Sequence, residues 1–113
     1  MDKALLFEME YCTGCFACTV ACKQEHGYGA DDWGIKVIEQ VYKRGENHVQ
    51  VDNVPFPTKL CDLCAERISS GEDDRPACVK ACQASIIFYG EPGELLEKAK
   101  ALTRPVLWLR NNP

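Results

Sequence analysis

Four cysteines crowd into one stretch, Cys12-Thr13-Gly14-Cys15-Phe16-Ala17-Cys18-Thr19-Val20-Ala21-Cys22. Two residues separate the first pair, two the second and three the last. Three thiolates at every third position can curl around one object in a loop. The fourth lies a helical turn further on and faces elsewhere. The run therefore calls for a second set of thiols downstream, and the chain supplies Cys61, Cys64, Cys78 and Cys82.

Three chemistries use eight cysteines in a chain of 113 residues. Disulfides require an oxidising compartment. The N-terminal stretch Met1-Asp2-Lys3-Ala4-Leu5-Leu6-Phe7-Glu8 lacks the apolar core and cleavage site of an export signal, so a cytoplasmic location is expected, or export alongside a signal-bearing partner. Zinc takes four ligands, usually as two separated C-x₂-C pairs. Cys61/Cys64 with Cys78/Cys82 nearly fits that pattern. The C-x₂-C-x₂-C row of the first stretch suits a cubane better, because its three sulfurs reach three corners while the loop amides turn inward. This is the bacterial spacing for [4Fe–4S] clusters, in which the fourth cysteine serves the other cluster. By that crossing rule Cys12, Cys15, Cys18 and Cys82 hold a first cluster, and Cys61, Cys64, Cys78 and Cys22 a second. Ligation then substitutes for part of a small core, and the apoprotein is expected to lose its fold.

Charge and hydropathy narrow the function classes. A net charge of −4 offers nothing to neutralise phosphates, so no nucleic-acid partner is expected. No run of about 18 apolar residues is present, so direct membrane insertion is not expected. No nucleophile–base pair, phosphate loop or carboxylate dyad stands out. The chain by itself is expected to catalyse nothing.

Along the chain, Ala4–Met9 reads as a buried strand feeding the first cysteine loop. Phe16–His26 reads as a helix stopped by Gly27, with Val20 and Cys22 inward. A Gly/Asp loop, 28–34, holds Trp33. Ile35–Tyr42 and His48–Val51 form a hairpin around the turn 43–47, after which Pro55 and Pro57 break the chain. Cys61–Ser70 reads as a short helix, 71–76 as a charged turn, and Ala77–Cys82 as a helical turn with Cys78 and Cys82 on one face. Ile86–Tyr89 is a strand, Pro92–Leu102 a helix with Leu95, Leu96, Ala99 and Leu102 inward, and Val106–Leu109 a last strand. Strand, cysteine loop, helix and strand thus recur twice. Trp33, Trp108, Phe16 and Phe56 serve as core filling or as a docking surface. His26 and His48 read as solvated, Lys23 as a surface or charge-balancing lysine, and Glu72-Asp73-Asp74 as a solvated turn.

Residues Cys12 to Lys23 resemble the first motif of the iron–sulfur electron-transfer subunits of the dimethyl sulfoxide reductase family. Lys59-Leu60-Cys61-Asp62-Leu63-Cys64, Arg67, Gly71, Pro76-Ala77-Cys78-Val79-Lys80-Ala81-Cys82 and Phe88-Tyr89-Gly90 resemble the last motif of the same subunits. Glu94-Leu95-Leu96 resembles the helix that follows it. The resemblance implies a small subunit passing electrons to or from a larger catalytic subunit, commonly one with a molybdenum or tungsten pterin. Two departures stand out. Family members carry four motifs, whereas residues 23–60 here hold no cysteine, so the chain resembles a two-cluster version. The final cysteine is usually followed by proline, whereas Gln83 stands here. Its restored N–H near a cluster sulfur is expected to raise the potential.

The expected fold is α+β and ferredoxin-like: one 4Fe–4S ferredoxin-type domain over 1–113, two pseudo-twofold halves around two [4Fe–4S] clusters. A β-hairpin insertion occupies about 28–57 and a C-terminal helix–strand extension about 91–113. The expected function is one-electron relay as the subunit of an oxidoreductase complex. The alternatives are a free dicluster ferredoxin, the small subunit of a flavin-dependent oxidoreductase, and a zinc-stabilised interaction module.

Overall fold

The computed structural model describes residues 3–109. It is an α+β protein with two antiparallel sheets. Strand β1, Ala4–Glu8, is buried along its whole length, because both its neighbours and both its faces are covered. It is the centre of a three-stranded sheet, flanked by β4 (Ile87–Gly90) and β5 (Pro105–Leu109), each antiparallel to it. Alternation of side chains across the strand divides its work. Ala4 and Leu6 pack with Leu95 of helix α4, Pro92–Ala99. Leu5 and Phe7 face the opposite way, into a core that includes Cys18, Cys22 and Cys78. The cysteines are thus part of the interior rather than an appendage to it.

Helix α1, Ala17–His26, ends at Gly27, whose φ of +67° is a left-handed stop. Its buried residues are Cys18, Thr19 and Cys22. Val20, expected inward, is 60% exposed, because sulfur and hydroxyl rather than aliphatic groups define the inner face. The expected helix over 61–70 is shorter: α2 spans Ala65–Ser69, and Leu63 and Cys64 before it are left-handed at φ +62° and +53°. A helix cannot pass through such residues. Helix α3 covers Ala77–Ala81 and packs against α1. The expected helix to Leu102 ends at Ala99: Leu95 of α4 is buried, Ala99 and, past the helix end, Leu102 pack beside it, but Leu96 is exposed, off the single stripe that meets the sheet.

The hairpin pairs β2, Ile35–Lys43, with β3, Val49–Pro57. The second strand runs through Pro55 and Pro57 instead of stopping before them. Thr58 N–H donates to Gly34 O at 2.8 Å, so even-numbered amides of this strand face β2. Positions 55 and 57 point their nitrogens to the open edge, where proline loses no ladder bond. Ile35 and Val37 at the hairpin base are buried, while Val41, Val49 and Val51 near its tip are exposed. Arg104 grips the middle of the arm, donating to both Asp52 carboxylate oxygens at 3.0 Å and to Glu10 at 3.2 Å.

Candidate metal centre

Two helices carry cysteine pairs four residues apart, Cys18/Cys22 on α1 and Cys78 on α3 with Cys82 at its end. One helical turn separates the members of each pair, so each helix offers two sulfurs on one face, displaced from each other along the helix axis. Where α1 and α3 pack, the eight cysteines fall into two groups. Cys12, Cys15, Cys18 and Cys82 line one cavity. Cys61 and Cys64 lie close enough to act electrostatically on both Cys22 and Cys78.

The first cavity is walled by apolar side chains: Phe16 from the loop, Ile86 and Ile87 at the start of β4, and Val37 and Pro55 from the hairpin base. The hairpin is therefore a wall of the site as well as a projecting arm. Gly14 sits at φ +74° with the Asn53 side chain against it, which joins the cysteine loop to β3. Phe16 starts α1 at φ +64°. Left-handed non-glycine residues cost on the order of 1–3 kcal/mol each and persist where the surroundings over-determine them. Here they stand between Cys15 and Cys18, at Leu63 and Cys64, and at Ser85, three residues after Cys82.

None of the eight cysteines is in a disulfide. Among the described residues, no three His, Cys, Asp or Glu side chains converge tightly enough to share a single ion. The sulfurs stand apart around a space instead. Burial is the first influence on them. It pushes the Cys18 thiol up to about 11, although Thr19 offsets part of the effect. It pushes Cys22 up to about 12, with the neighbouring Cys61 and Cys64 adding to the rise. It also raises Cys78, Cys12 and Cys64 above the ordinary thiol range. Backbone amides work in the other direction: those of Gly14, Thr19, Ile35 and Ala77 act on the sulfurs of Cys12, Cys18, Cys22 and Cys64. Amide donors aimed at buried sulfurs suit thiolate ligands of an iron–sulfur cluster.

Thr19 gives a second test of that fit. Its side chain is 3% exposed, and its hydroxyl makes no well-formed hydrogen bond with the protein. It nonetheless lies near enough to Cys18 to favour the thiolate. A buried hydroxyl is costly without an acceptor, and a sulfur-rich group between the helices would supply one. The donor set, the apolar wall and this unpaired hydroxyl fit an iron–sulfur cluster.

Several residues read as bland in the sequence take part in the site. Gly34 touches it most closely: a Cβ there would overlap the Cys22 sulfur and come within 2.9 Å of the Tyr28 ring. Thr58 holds this turn against the second cysteine loop. Its hydroxyl donates to Trp33 O, its carbonyl accepts from Cys61 N–H at 3.1 Å, and its Oγ1 accepts from Leu60 N–H. His26, expected to be solvated, places Nε2 3.3 Å from Cys64 Sγ. Its position four residues after Cys22 is the signal that places it on the sulfur-bearing face of α1. Asp73 is also not simply solvated: Arg67, Lys80 and its own turn hold it, and the carboxylate is only 13% exposed. Its neighbour Asp74 is 94% exposed. Lys23 donates to Ala30 O at 2.9 Å and lies 3.6 Å from the Trp33 ring, so it fastens the 28–34 loop. Trp108 packs on the core beneath the cysteines, whereas Phe16 and Phe56 are about half exposed. His48 is exposed. Gln83 is exposed. No helix among the described residues is long and apolar enough to cross a membrane.

The chain matches no protein-family model. Over 90 residues, 80% of its length, it is 31% identical to one subunit of the tetrathionate reductase of Salmonella typhimurium, and the match covers 32% of that subunit. Over 94 residues, 83% of its length, it is 31% identical to the iron–sulfur subunit of the nitrate-inducible formate dehydrogenase of Escherichia coli, covering 24% of that protein. The corresponding Shigella flexneri subunit matches to the same extent. The chain thus spans between a quarter and a third of the length of these curated relatives. It is similar to subunits of two oxidoreductases, one of them named for its iron–sulfur content.

Proposed function

We propose that the chain is an electron-transfer subunit that relays single electrons through two [4Fe–4S] clusters to or from a larger catalytic oxidoreductase subunit. The observation that carries this reading is the gathering of Cys12, Cys15, Cys18 and Cys82 around one apolar cavity, with Cys22, Cys61, Cys64 and Cys78 neighbouring one another beyond it. In this reading the first four would hold one cluster and the second four the other. A cluster held by four thiolates supplies a reversible one-electron couple. Phe16, Val37, Ile86 and Ile87 keep water from the first set, and the amides of Gly14, Thr19, Ile35 and Ala77 balance thiolate charge. Cys15 is the exposed member of the first set. The whole belongs to a ferredoxin-like dicluster domain spanning 1–113.

The subunit reading is preferred to a free carrier because of the hairpin arm. Val41, Val49, Val51 and Phe56 remain exposed on a two-stranded projection with two open edges. Such an arm is a liability on a molecule that travels alone. On the family resemblance, and on the likeness to formate dehydrogenase and tetrathionate reductase subunits, the partner is a molybdenum- or tungsten-pterin subunit. The test is anaerobic isolation of the chain from its source. Recovery with a larger subunit whose substrate bleaches the visible absorption of this chain supports the proposal. Recovery alone, with its clusters intact, overturns the subunit assignment.

A further inference from the structure

We propose that His26 is a potential-setting residue: its Nε2–H donates a hydrogen bond to the Cys64 thiolate and raises the reduction potential of the second cluster alone. This rests on the cluster reading above and adds a residue to it. Nε2 lies 3.3 Å from Cys64 Sγ, within hydrogen-bond range for an atom as large as sulfur. Cys64 is buried and His26 is half-buried beside it. The imidazole is held in place. It stacks on the Tyr28 ring at 5.3 Å with 22° between the planes. Tyr28 is in turn anchored, its hydroxyl donating to Leu60 O at 3.1 Å, immediately before Cys61. The ring that touches one ligand of the second set is therefore oriented by the loop that carries another.

The direction of the hydrogen bond follows from the ligand. A metal-bound thiolate has lone pairs and no proton, so the ring nitrogen facing it carries the hydrogen. Hydrogen bonds to a charged acceptor are the stronger kind. Adding an electron makes the cluster and its sulfurs more negative, so the donor favours the reduced form and moves the potential upward. Asp62 opposes it, with an acidic side chain beside Cys64 whose Oδ1 accepts from the Cys64 amide at 3.0 Å. The His26 ring N–H faces the same sulfur from the other direction. No corresponding imidazole contacts Cys12, Cys15, Cys18 or Cys82 among the described residues, since the other histidine, His48, is exposed on the hairpin. The two sites are built alike in sulfur and differ in this donor.

The test is potentiometry on the anaerobic holoprotein, followed by EPR, comparing wild type with His26→Leu. Iron and sulfide per chain are expected to be unchanged. The reduction equilibrium of one cluster is expected to fall roughly tenfold, about 59 mV for a one-electron couple, while the other stays put. Unchanged potentials, or equal shifts in both clusters, would overturn the proposal. The wild type gives an independent answer should the variant misfold. Its reduced spectrum, pulsed, should carry a weak nitrogen coupling that changes when histidine is labelled with ¹⁵N. No such coupling, or one large enough for direct iron–nitrogen bonding, contradicts a hydrogen bond. A preparation with zinc or without iron removes the cluster premise and the proposal with it, and metal analysis reports that separately.

Discussion

Gly34 lies so close to Cys22 that a Cβ at position 34 would overlap the Cys22 sulfur. The same turn is fixed by Thr58, whose carbonyl accepts from the Cys61 amide. The backbone between hairpin and helix is thereby part of the second cysteine group. Gly34→Ala must move either the sulfur or the turn, and the turn is tied. The expected outcome is loss of the second cluster with retention of the first, so iron per chain falls by about half on reconstitution. Full iron content in this variant would show that the contact carries no such constraint.

The crossed ligand sets give a sharper expectation. Cys18→Ser and Cys82→Ser should weaken one and the same EPR signal, and Cys22→Ser the other. If Cys18→Ser and Cys22→Ser, four residues apart on one helix, perturb a common signal, the assignment is wrong.

Glu8 ties the start of the chain to its end. Its carboxylate is buried and accepts from the amides of Thr103 at 2.7 Å and Arg104 at 2.9 Å, and from Glu10 at 3.3 Å. Burial alone would raise its pKa, but the donors at Arg104, Thr103 and Glu10 outweigh it and hold the carboxyl below the ordinary 4.5. A carboxyl depressed in the folded state contributes stability above its unfolded value and loses it as pH falls through the folded value. Glu8→Gln should therefore melt below wild type at neutral pH, and the gap should narrow only beneath pH 4.5. A gap independent of pH through that window would mean that charge plays no part in the clasp.

Two leucine-sized positions separate interior from surface. Leu6 is 0% exposed against Leu95, and Leu6→Ala should cost about 2–5 kcal/mol, on the order of 10–20 °C in the melting midpoint. Val20 is largely exposed, and Val20→Ala should change stability by no more than about 0.5 kcal/mol. Equal losses at both would contradict the packing of α1 described above.

Much of this was legible in the residues. An unbroken apolar run marked β1, and proline with glutamate marked the start of α4. Cysteine spacing marked two cysteine-bearing stretches, and the fold brings both into one core. What escaped has identifiable causes. Val20 misled because the inner face of α1 is built from Cys18, Thr19 and Cys22, which carry little hydrophobic signal. Pro55 and Pro57 looked like breakers because their harmlessness depends on which amides face β2, a register fact. The late start of α2 follows from left-handed backbone at Leu63 and Cys64, residues with no intrinsic preference for it. His26, Gly34 and Asp73 acquire roles only through partners distant in sequence, respectively Cys64, Cys22 and the clasp around Arg67. Helix face alone hinted at the first of these.

Native mass spectrometry of the anaerobically isolated chain tests the central claim most directly. The account predicts the mass of the polypeptide plus two Fe₄S₄ units, with both lost together from a chain in which Cys12 and Cys64 are changed to serine. A polypeptide carrying zinc, or a single cluster, would contradict it.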